Sequence, residues 1–414
     1  MNYRNTIQKG ILICAILFIQ IINLFGQWED KSIMTSNLIT STSFVNEDFG
    51  FATAQNEIYR TEDGGDTWAQ VLLSNTTTIY EDIFTINDST VIAVGRDFIS
   101  LEGVIISSSD SGNTWNNRFV NVSANLRSVF FISDEIGYAC GSNGTILKSS
   151  DGGIVWMELE SGTTNILTSV FFVNDSIGFV VGGSPGEGEI FKTENAGDSW
   201  QMVSSPSNNF LQSIFFINDQ IGYSVGWNGE ILNTTDCGDT WSFQNSVSME
   251  GNLEIVFTDQ NTGYIVGGSL VYNNSLIQKT NNGGQEWIDI SPQGFSGLLA
   301  VDFPTADIGY VAGAQGIVLK TTTAGVITSS NNNQIEIESF DIYPNPTNAD
   351  LTIVSSSDEH IELIRLYDGQ GMIIKELNHN TTNLHLDLSN LIPNVYYLEI
   401  HTPSSTGVRK VVKL

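Results

Sequence analysis

Between residues 27 and 325 the chain has no histidine; His360, His379, His385 and His401 all lie beyond that stretch. The absence excludes Ser-His-Asp and Cys-His catalysis, and histidine-rich metal sites, from most of the molecule. Cysteine is almost missing as well. Past residue 26 only Cys140 and Cys237 remain, at different positions of the repeat described below, so no disulfide between them is expected and stability must come from core burial. Basic residues are few, 16 Lys+Arg against 46 Asp+Glu, for a net charge of −30. That balance excludes nucleic acid and anionic membranes as partners, since both demand basic patches. Helical periodicity is missing after residue 26. With 39 glycines and many Asn, Ser and Thr, the expectation is an all-β chain of short strands and many turns.

One long apolar run is present, GILICAILFIQIINLF at 10–25, preceded by Arg4 and Lys9 and followed by Gly26 and Gln27. A basic start, a short apolar core and a small residue read as a secretory signal peptide over 1–26, cleaved after Gly26. The run falls short of the roughly 20 residues a membrane span needs. No membrane span is expected once it is removed.

What fills the next 300 residues is one unit, repeated. TTDCGDTW (234–241) shares its frame with TEDGGDTW (61–68), SSDSGNTW (108–115), SSDGGIVW (149–156), TENAGDSW (193–200) and TNNGGQEW (280–287). The closing tryptophans are 47, 41, 44, 41 and 46 residues apart. A period of 40–50 residues built of short strands marks a β-propeller, one four-stranded blade per repeat. Each unit reads as strand A (SVFF at 128–131 and 169–172, SIFF at 213–216), strand B (IGYxxG), strand C (GxIxKT), then the box and strand D beginning at the tryptophan. The seventh copy, TTTAG at 321–325, has no tryptophan after it, whereas Trp28 belongs to no repeat of its own. Residues 27–33 are therefore expected to supply strand D of the last blade and close a ring of seven. Closure removes the open sheet edges that invite aggregation.

The chemistry of the box suits a tight C-to-D hairpin. The carboxylates of Asp63, Asp110, Asp151 and Asp236 accept hydrogen bonds from main-chain N–H groups just downstream. Asn195 and Asn282 take the same position in the fourth and sixth boxes, and Thr323 in the seventh. Gly65, Gly112, Gly153, Gly197, Gly238 and Gly284 permit positive φ where a Cβ would clash. Trp68, Trp115, Trp156, Trp200, Trp241 and Trp287, with Trp28 for the last blade, each bury some 150–250 Å², most simply between blades. The competing reading makes the box acids metal ligands or catalysts. Turns spaced around a ring do not converge on one ligand, the calcium-loop run D-x-[DN]-x-[DN]-G is missing, and an Asp-to-Asn exchange suits a hydrogen-bonding role better than a metal site. The boxes are read as scaffold, with no metal and no cofactor.

These boxes resemble the Asp-box, or BNR, repeats of sialidases and many other propellers. The fuller string I-G-[YF]-x-x-G-x-x-G-x-I-x-K-[ST]-x-D-x-G-x-T-W is similar to propellers of the photosystem II assembly and stability factor type, over about residues 27–325. The resemblance implies a seven-bladed scaffold and the binding of a protein partner, without a photosynthetic role. The acidity of this chain departs from a partner surface built on arginines.

An enzyme of the sialidase kind would clamp a sugar carboxylate with three arginines and carry a Phe-Arg-Ile-Pro stretch. No such stretch occurs, and the propeller region holds only Arg60, Arg96, Arg118 and Arg127. Arg60 stands where Lys148, Lys192, Lys279 and Lys320 recur before the box, a structural position. A pair of carboxylates for glycoside hydrolysis is the alternative left open by so many acids. Asp88, Asp134, Asp175, Asp219 and Asp307 recur, all in the A-to-B turn, and read as turn chemistry. Variation points elsewhere, to the B-to-C loops. They are short in blades 3, 5 and 7 (GSNG, GWNGE, GAQG) and long in blades 2, 4 and 6 (GRDFISLEG, GGSPGEGE, GGSLVYNNS). Arg96, Phe98, Trp227 and Tyr272 stand there without an evident core duty and are the candidate ligand-binding residues; ordinary loop packing is the competing reading.

After Gly325 a polar Ser/Asn-rich linker, 326–339, leads to a second β unit at 340–414, read as a small antiparallel sandwich. Its YPNP with LTI, LYDGQG, NVYYLEI and terminal RKVVKL resemble the type A C-terminal sorting domain of the type IX secretion system, with Asn394 where that family has Gly. The resemblance implies a Bacteroidetes-type bacterium, passage through the periplasm, engagement of the type IX secretion machinery and removal of the tail. Asp88-Ser89-Thr90 and Asp175-Ser176-Ile177 look like that phylum's O-glycosylation triplets. Together these readings make the chain a secreted or cell-surface monomer that binds a protein or glycan, not an enzyme. The alternatives are a glycoside-acting enzyme and a structural surface-layer component.

Overall fold

Strand B of every repeat is buried on both faces, as GYACG at Gly137–Gly141 and GYSVG at Gly222–Gly226 illustrate. A strand covered on both sides has no reason to alternate, so it reads as a run of small and apolar residues between glycines. The computed structural model describes residues 28–325, apart from 119, 121, 270–273, 293 and 296, and residues 340–413, apart from 356–359, 368–372 and 403–405. The signal peptide, the linker and Tyr272 lie outside the described residues. The chain divides into two compact units, Met1–Thr328 and Ser329–Leu414.

The first unit holds seven four-stranded antiparallel sheets. Blade 1 is Ile39–Phe44, Gly50–Ala54, Glu57–Thr61 and Ala69–Leu73, and its order A-B-C-D is kept by all the others. Blade 7 takes its outer strand from the start of the chain. Glu29–Asp30 pairs antiparallel with Val318–Thr321, Glu29 opposite Lys320 and Asp30 opposite Leu319. The A strands contact one another in succession, and blade 7 contacts blade 1. The ring is closed.

Aromatic residues at fixed repeat positions join the blades. The tyrosine of strand B stacks on the phenylalanine at the end of the next blade's strand A, or in blade 7 on the one just after it. Tyr138 on Phe172 and Tyr310 on Phe44 both lie 3.7 Å apart, and Tyr264 on Phe303 lies 4.0 Å apart, centroid to centroid. The box tryptophan meets the same phenylalanine edge-on, as in Phe172–Trp200 and Phe216–Trp241 at 5.9 and 6.0 Å. Stacked and T-shaped pairs are the favoured arrangements of ring quadrupoles. Blade 2 has Thr85 at the phenylalanine position, and its Trp115 turns to Phe51 of blade 1 instead, at 6.3 Å. Trp28 packs with Tyr264 and Leu319, filling for blade 7 the place that the seventh box leaves empty.

The second unit consists of a three-stranded and a four-stranded antiparallel sheet. Leu351, Ile353, Ile364, Leu366, Leu398 and Ile400 are among its buried core residues. Among the described residues no helix is long and apolar enough to cross a membrane.

Candidate functional site

The boxes lie at the end of each blade where strand A turns into strand B. In TTDCGDTW, Thr234 Oγ1 donates to Asp236 Oδ1 at 2.8 Å and accepts the Gly238 N–H at 2.9 Å. Asp236 in turn accepts the Thr240 N–H at 2.9 Å and the Thr240 hydroxyl at 2.6 Å. Those donors hold the Asp236 carboxyl down at about 2, the Thr240 hydroxyl contributing most. Asp63 and Asp110 bind Thr67 and Thr114 in the same way, and Asn195 and Asn282 accept the N–H groups of Ser199 and Glu286. Asp151 takes Ile154 and Val155. The fourth residue of every box is left-handed, Cys237 at φ 59° and Gly152 at 73° for example. A Cβ on Gly238 would lie 2.4 Å from the Phe179 ring, so glycine is required there for space as well as for its φ of +76°.

Each box is also held by its own blade, and five of the seven, through a carbonyl, by the preceding blade as well. Its fourth N–H donates to the A-to-B turn of its own blade, as Cys237 does to Gln220 at 3.0 Å and Gly64 to Asp48 at 2.8 Å. A carbonyl of the box accepts from the preceding blade: Ala196 from the Tyr138 hydroxyl and Lys148, Ala324 from Tyr264 and Lys279, Gly64 from Tyr310 and Lys320. Arg60 donates likewise to the Ser111 carbonyl at 2.6 Å. In the A-to-B turns the side chain that holds the main chain is the residue before the recurrent acid. Asn87, Asn174 and Asn218 each accept two N–H groups, whereas Asp88, Asp175 and Asp219 make no such side-chain bond.

The opposite face carries the B-to-C loops and the starts of the A strands, because strands A and B run antiparallel. Here the ring opens into a polar cup of about 220 Å³, lined by Ser41, Asp82, Ser128, Ser169, Ser213 and Glu254 among others. These six hold one repeat position, and each accepts a main-chain N–H of the next blade: Ile83, Val129, Val170, Ile214, Ile255 and Val301 in turn, at 2.6–3.4 Å. Blade 7 has Ala300 at that position, and Asp302 replaces it by accepting the Phe44 N–H at 2.6 Å. Two residues further along the same strand faces, Phe84, Phe130, Phe171 and Phe215 touch in succession at 5.7, 4.9 and 5.3 Å. Burial raises the carboxyls in this wall: Asp82 and Asp302 to about 6, Glu254 to about 8.

Beside the cup runs a groove of about 530 Å³ between the loops of blades 3, 4 and 5. Trp227, 47% exposed, stands over buried Phe210 with ring centroids 5.4 Å apart. It is held by the turn Trp227–Gly229, in which Asn228 is left-handed and Trp227 N–H donates to the Phe210 carbonyl at 3.1 Å. Ile166 and Pro185 extend the apolar lining. Arg127 and Gln212 line both groove and cup, so the two are continuous.

Of the rim residues singled out in the sequence, Trp227 alone lines this groove. Arg96 is the last residue but one of strand Val91–Asp97 of blade 2, with its Nε buried and unbonded. Phe98 begins the adjoining tip and is 43% exposed beside exposed Ile99 and Leu101. That tip is fixed by Asp97, which accepts the N–H groups of Ile99 and Ser100 and the Thr77 hydroxyl. Tyr272 is outside the described residues. Loop length drew attention to blades 2, 4 and 6 and missed Arg127 and Gln212. Both occupy the repeat position just before the cup residues, which is Thr40, Glu81, Arg127, Thr168, Gln212, Leu253 and Leu299 around the ring. That variation inside an otherwise regular strand was the available signal. Among the described residues no group of three or more His, Cys, Asp or Glu is placed to hold a metal ion.

A closed ring of seven blades, each stapled by a box, defines a BNR-type β-propeller. Residues 192–291 match the family model described as photosynthesis system II assembly factor YCF48, and residues 341–414 that of the secretion system C-terminal sorting domain. The chain carries a YCF48-like BNR propeller followed by a type IX secretion sorting domain. Similar solved structures include one described as YCF48 bound to D1 peptide, at 19% identity and TM-score 0.59, covering 72% of this chain and 95% of the other. YCF48 from Cyanidioschyzon merolae follows at 18% and 0.57, covering 71% and 98%. The WD40 propeller domain of Doa1 stands at 12% and 0.57, covering 71% and 95%. At such identities the likeness is one of fold. No curated protein matches. The sorting domain implies engagement of the type IX secretion machinery and export to the cell surface or beyond, as in Bacteroidetes.

Proposed function

We propose that the chain is an exported binding module, which takes a protein or glycan on its loop face in the groove of blades 3 to 5, and that it is not an enzyme. The observation that carries this reading is the half-exposed Trp227 beside a groove open to the channel cup. A concave, largely apolar site with a few polar groups is what a ligand of appreciable affinity needs. The related YCF48 structure described as bound to D1 peptide is consistent with a propeller of this kind serving as a binding platform. Asp82, Glu254 and Asp302 are read as wall elements, because each is committed to a main-chain N–H of the next blade. The boxes are scaffold. The mature protein runs from residue 27, as a monomer, and loses its tail on export.

Immobilised full chain, challenged with a panel of glycans and secreted proteins, tests the reading. A ligand captured by the wild type and lost with Trp227→Ala supports it. Capture unchanged by Trp227→Ala, or turnover of a glycan by the purified chain, refutes it.

A further inference from the structure

The groove beside Trp227 combines groups that occur together at no other described cavity. Arg127 makes no hydrogen bond or ion pair among the described residues, and its buried Nε has no acceptor. The Gln212 amide lies next to it in the lining. Arg96 is a second half-buried guanidinium without a partner among the described residues, but it lines neither the cup nor the groove. Glu81, also in the cup, bonds instead to the Asn125 amide at 3.0 Å. The Arg127 guanidinium has no carboxylate in contact among the described residues, and an anion that reaches it gains charge-assisted bonds.

The main chain around the groove is already used. Trp227 N–H donates to Phe210, Gly144 N–H donates to the Asn165 carbonyl at 2.7 Å, and Ile166, Gly183 and Ser184 are paired within blade 4. The loop main chain lining the groove therefore offers little for an extended peptide to join by β-augmentation. Recognition falls to side chains: an aromatic plate, a planar amide and a guanidinium. A pyranose ring presents a C–H face to an aromatic plate and hydroxyls to amides, and a uronic acid adds the carboxylate that Arg127 lacks. Against a protein of net charge −30 the anion gains only locally, because more distant charges are screened beyond about 8 Å at physiological salt.

We propose that the groove binds a saccharide carrying a carboxylate, with the sugar ring on Trp227 and the carboxylate on Arg127. The assignment rests on the groove being the binding site. Calorimetric titration of the full chain with trigalacturonic acid, and with its carboxyl-reduced neutral counterpart, tests it. The expected result is acid binding about tenfold tighter than neutral, the ratio a charge-assisted bond supplies. Arg127→Gln should abolish that preference and Trp227→Ala should weaken both ligands, with the thermal transition of each variant unchanged. Equal binding of the two trisaccharides, or no binding of either, overturns the assignment. If Trp227→Ala then still abolishes capture of a protein by the same chain, only the saccharide assignment falls and the groove stands as the site.

Discussion

Asp302 Oδ2 accepts the Phe44 N–H at 2.6 Å, across the seam where blade 7 meets blade 1. Six blades bridge to the next through one repeat position, and the seventh does so with a residue two places on. The ring is therefore held closed at the channel by Asp302, which joins blade 7 to blade 1, and at the outside by Glu29–Asp30, which ties the N-terminal segment into the sheet of blade 7. Asp302→Ala leaves the Phe44 N–H unsatisfied, at a cost of about 1–3 kcal/mol. Urea denaturation followed by tryptophan fluorescence measures it, since all 8 tryptophans lie in residues 28–287 and none in the tail.

Truncating the outer closure should act on the last blade first. Trp28→Ala removes a buried anchor packed on Tyr264 and Leu319, and costs roughly 3–5 kcal/mol. Amide exchange at Val318–Thr321, the partner of the N-terminal strand, is expected to accelerate more than exchange in the central strand of blade 3. Uniform acceleration around the ring would argue against a local closure.

The pH dependence follows from the channel carboxyls. Asp82 and Asp302 are raised to about 6 and Glu254 to about 8, all by burial. The folded state therefore holds protons that the unfolded chain has released, and stability falls as pH rises from about 4 through 6 and on through 8. Glu81 adds charge of the same sign beside Asp82, and Arg127 is the cation in the same wall. The propeller has no histidine, so between pH 6 and 9 these acids dominate its titration. Tm by tryptophan fluorescence should decline over that range. Glu254→Ser, which restores the residue of blades 1, 3, 4 and 5, should flatten the decline; an unchanged slope contradicts the assignment.

For the boxes, Asp236→Asn should be nearly silent, because Asn195 and Asn282 already hold the same turn. Asp236→Ala loses the acceptor for the Thr240 N–H and hydroxyl and is expected to lower Tm by roughly 2–4 °C. Equal losses from the two variants would mean that charge, not hydrogen bonding, is what the turn requires.

Much of the architecture was legible in the chain because it repeats. Trp28 without a box and TTTAG without a tryptophan pointed to each other, and the N-terminal strand does pair with blade 7. The reciprocal clamp on the boxes was not legible, since Tyr138 and Ala196 stand 58 residues apart and no local pattern links a hydroxyl to a carbonyl in the next repeat. Nor was the turn role of Asn87 and Asn174, which stood next to a more conspicuous acid. Trp227 was singled out from its loop position, and it lines the groove. Arg127 and Gln212 were not, because strand A looked uniform in its apolar positions and their variability faces the cup. Arg96 and Phe98 share a loop with each other but no described cavity with Trp227.

Paired measurement of stability and ligand capture on Trp227→Ala and Asp236→Ala tests the central claim most directly, namely that the regular hairpins build the ring and the irregular rim does the recognising. The account predicts that Trp227→Ala abolishes capture at unchanged Tm, while Asp236→Ala lowers Tm and captures normally below its transition. Loss of capture by a folded Asp236→Ala protein, with Trp227→Ala unaffected, would contradict it.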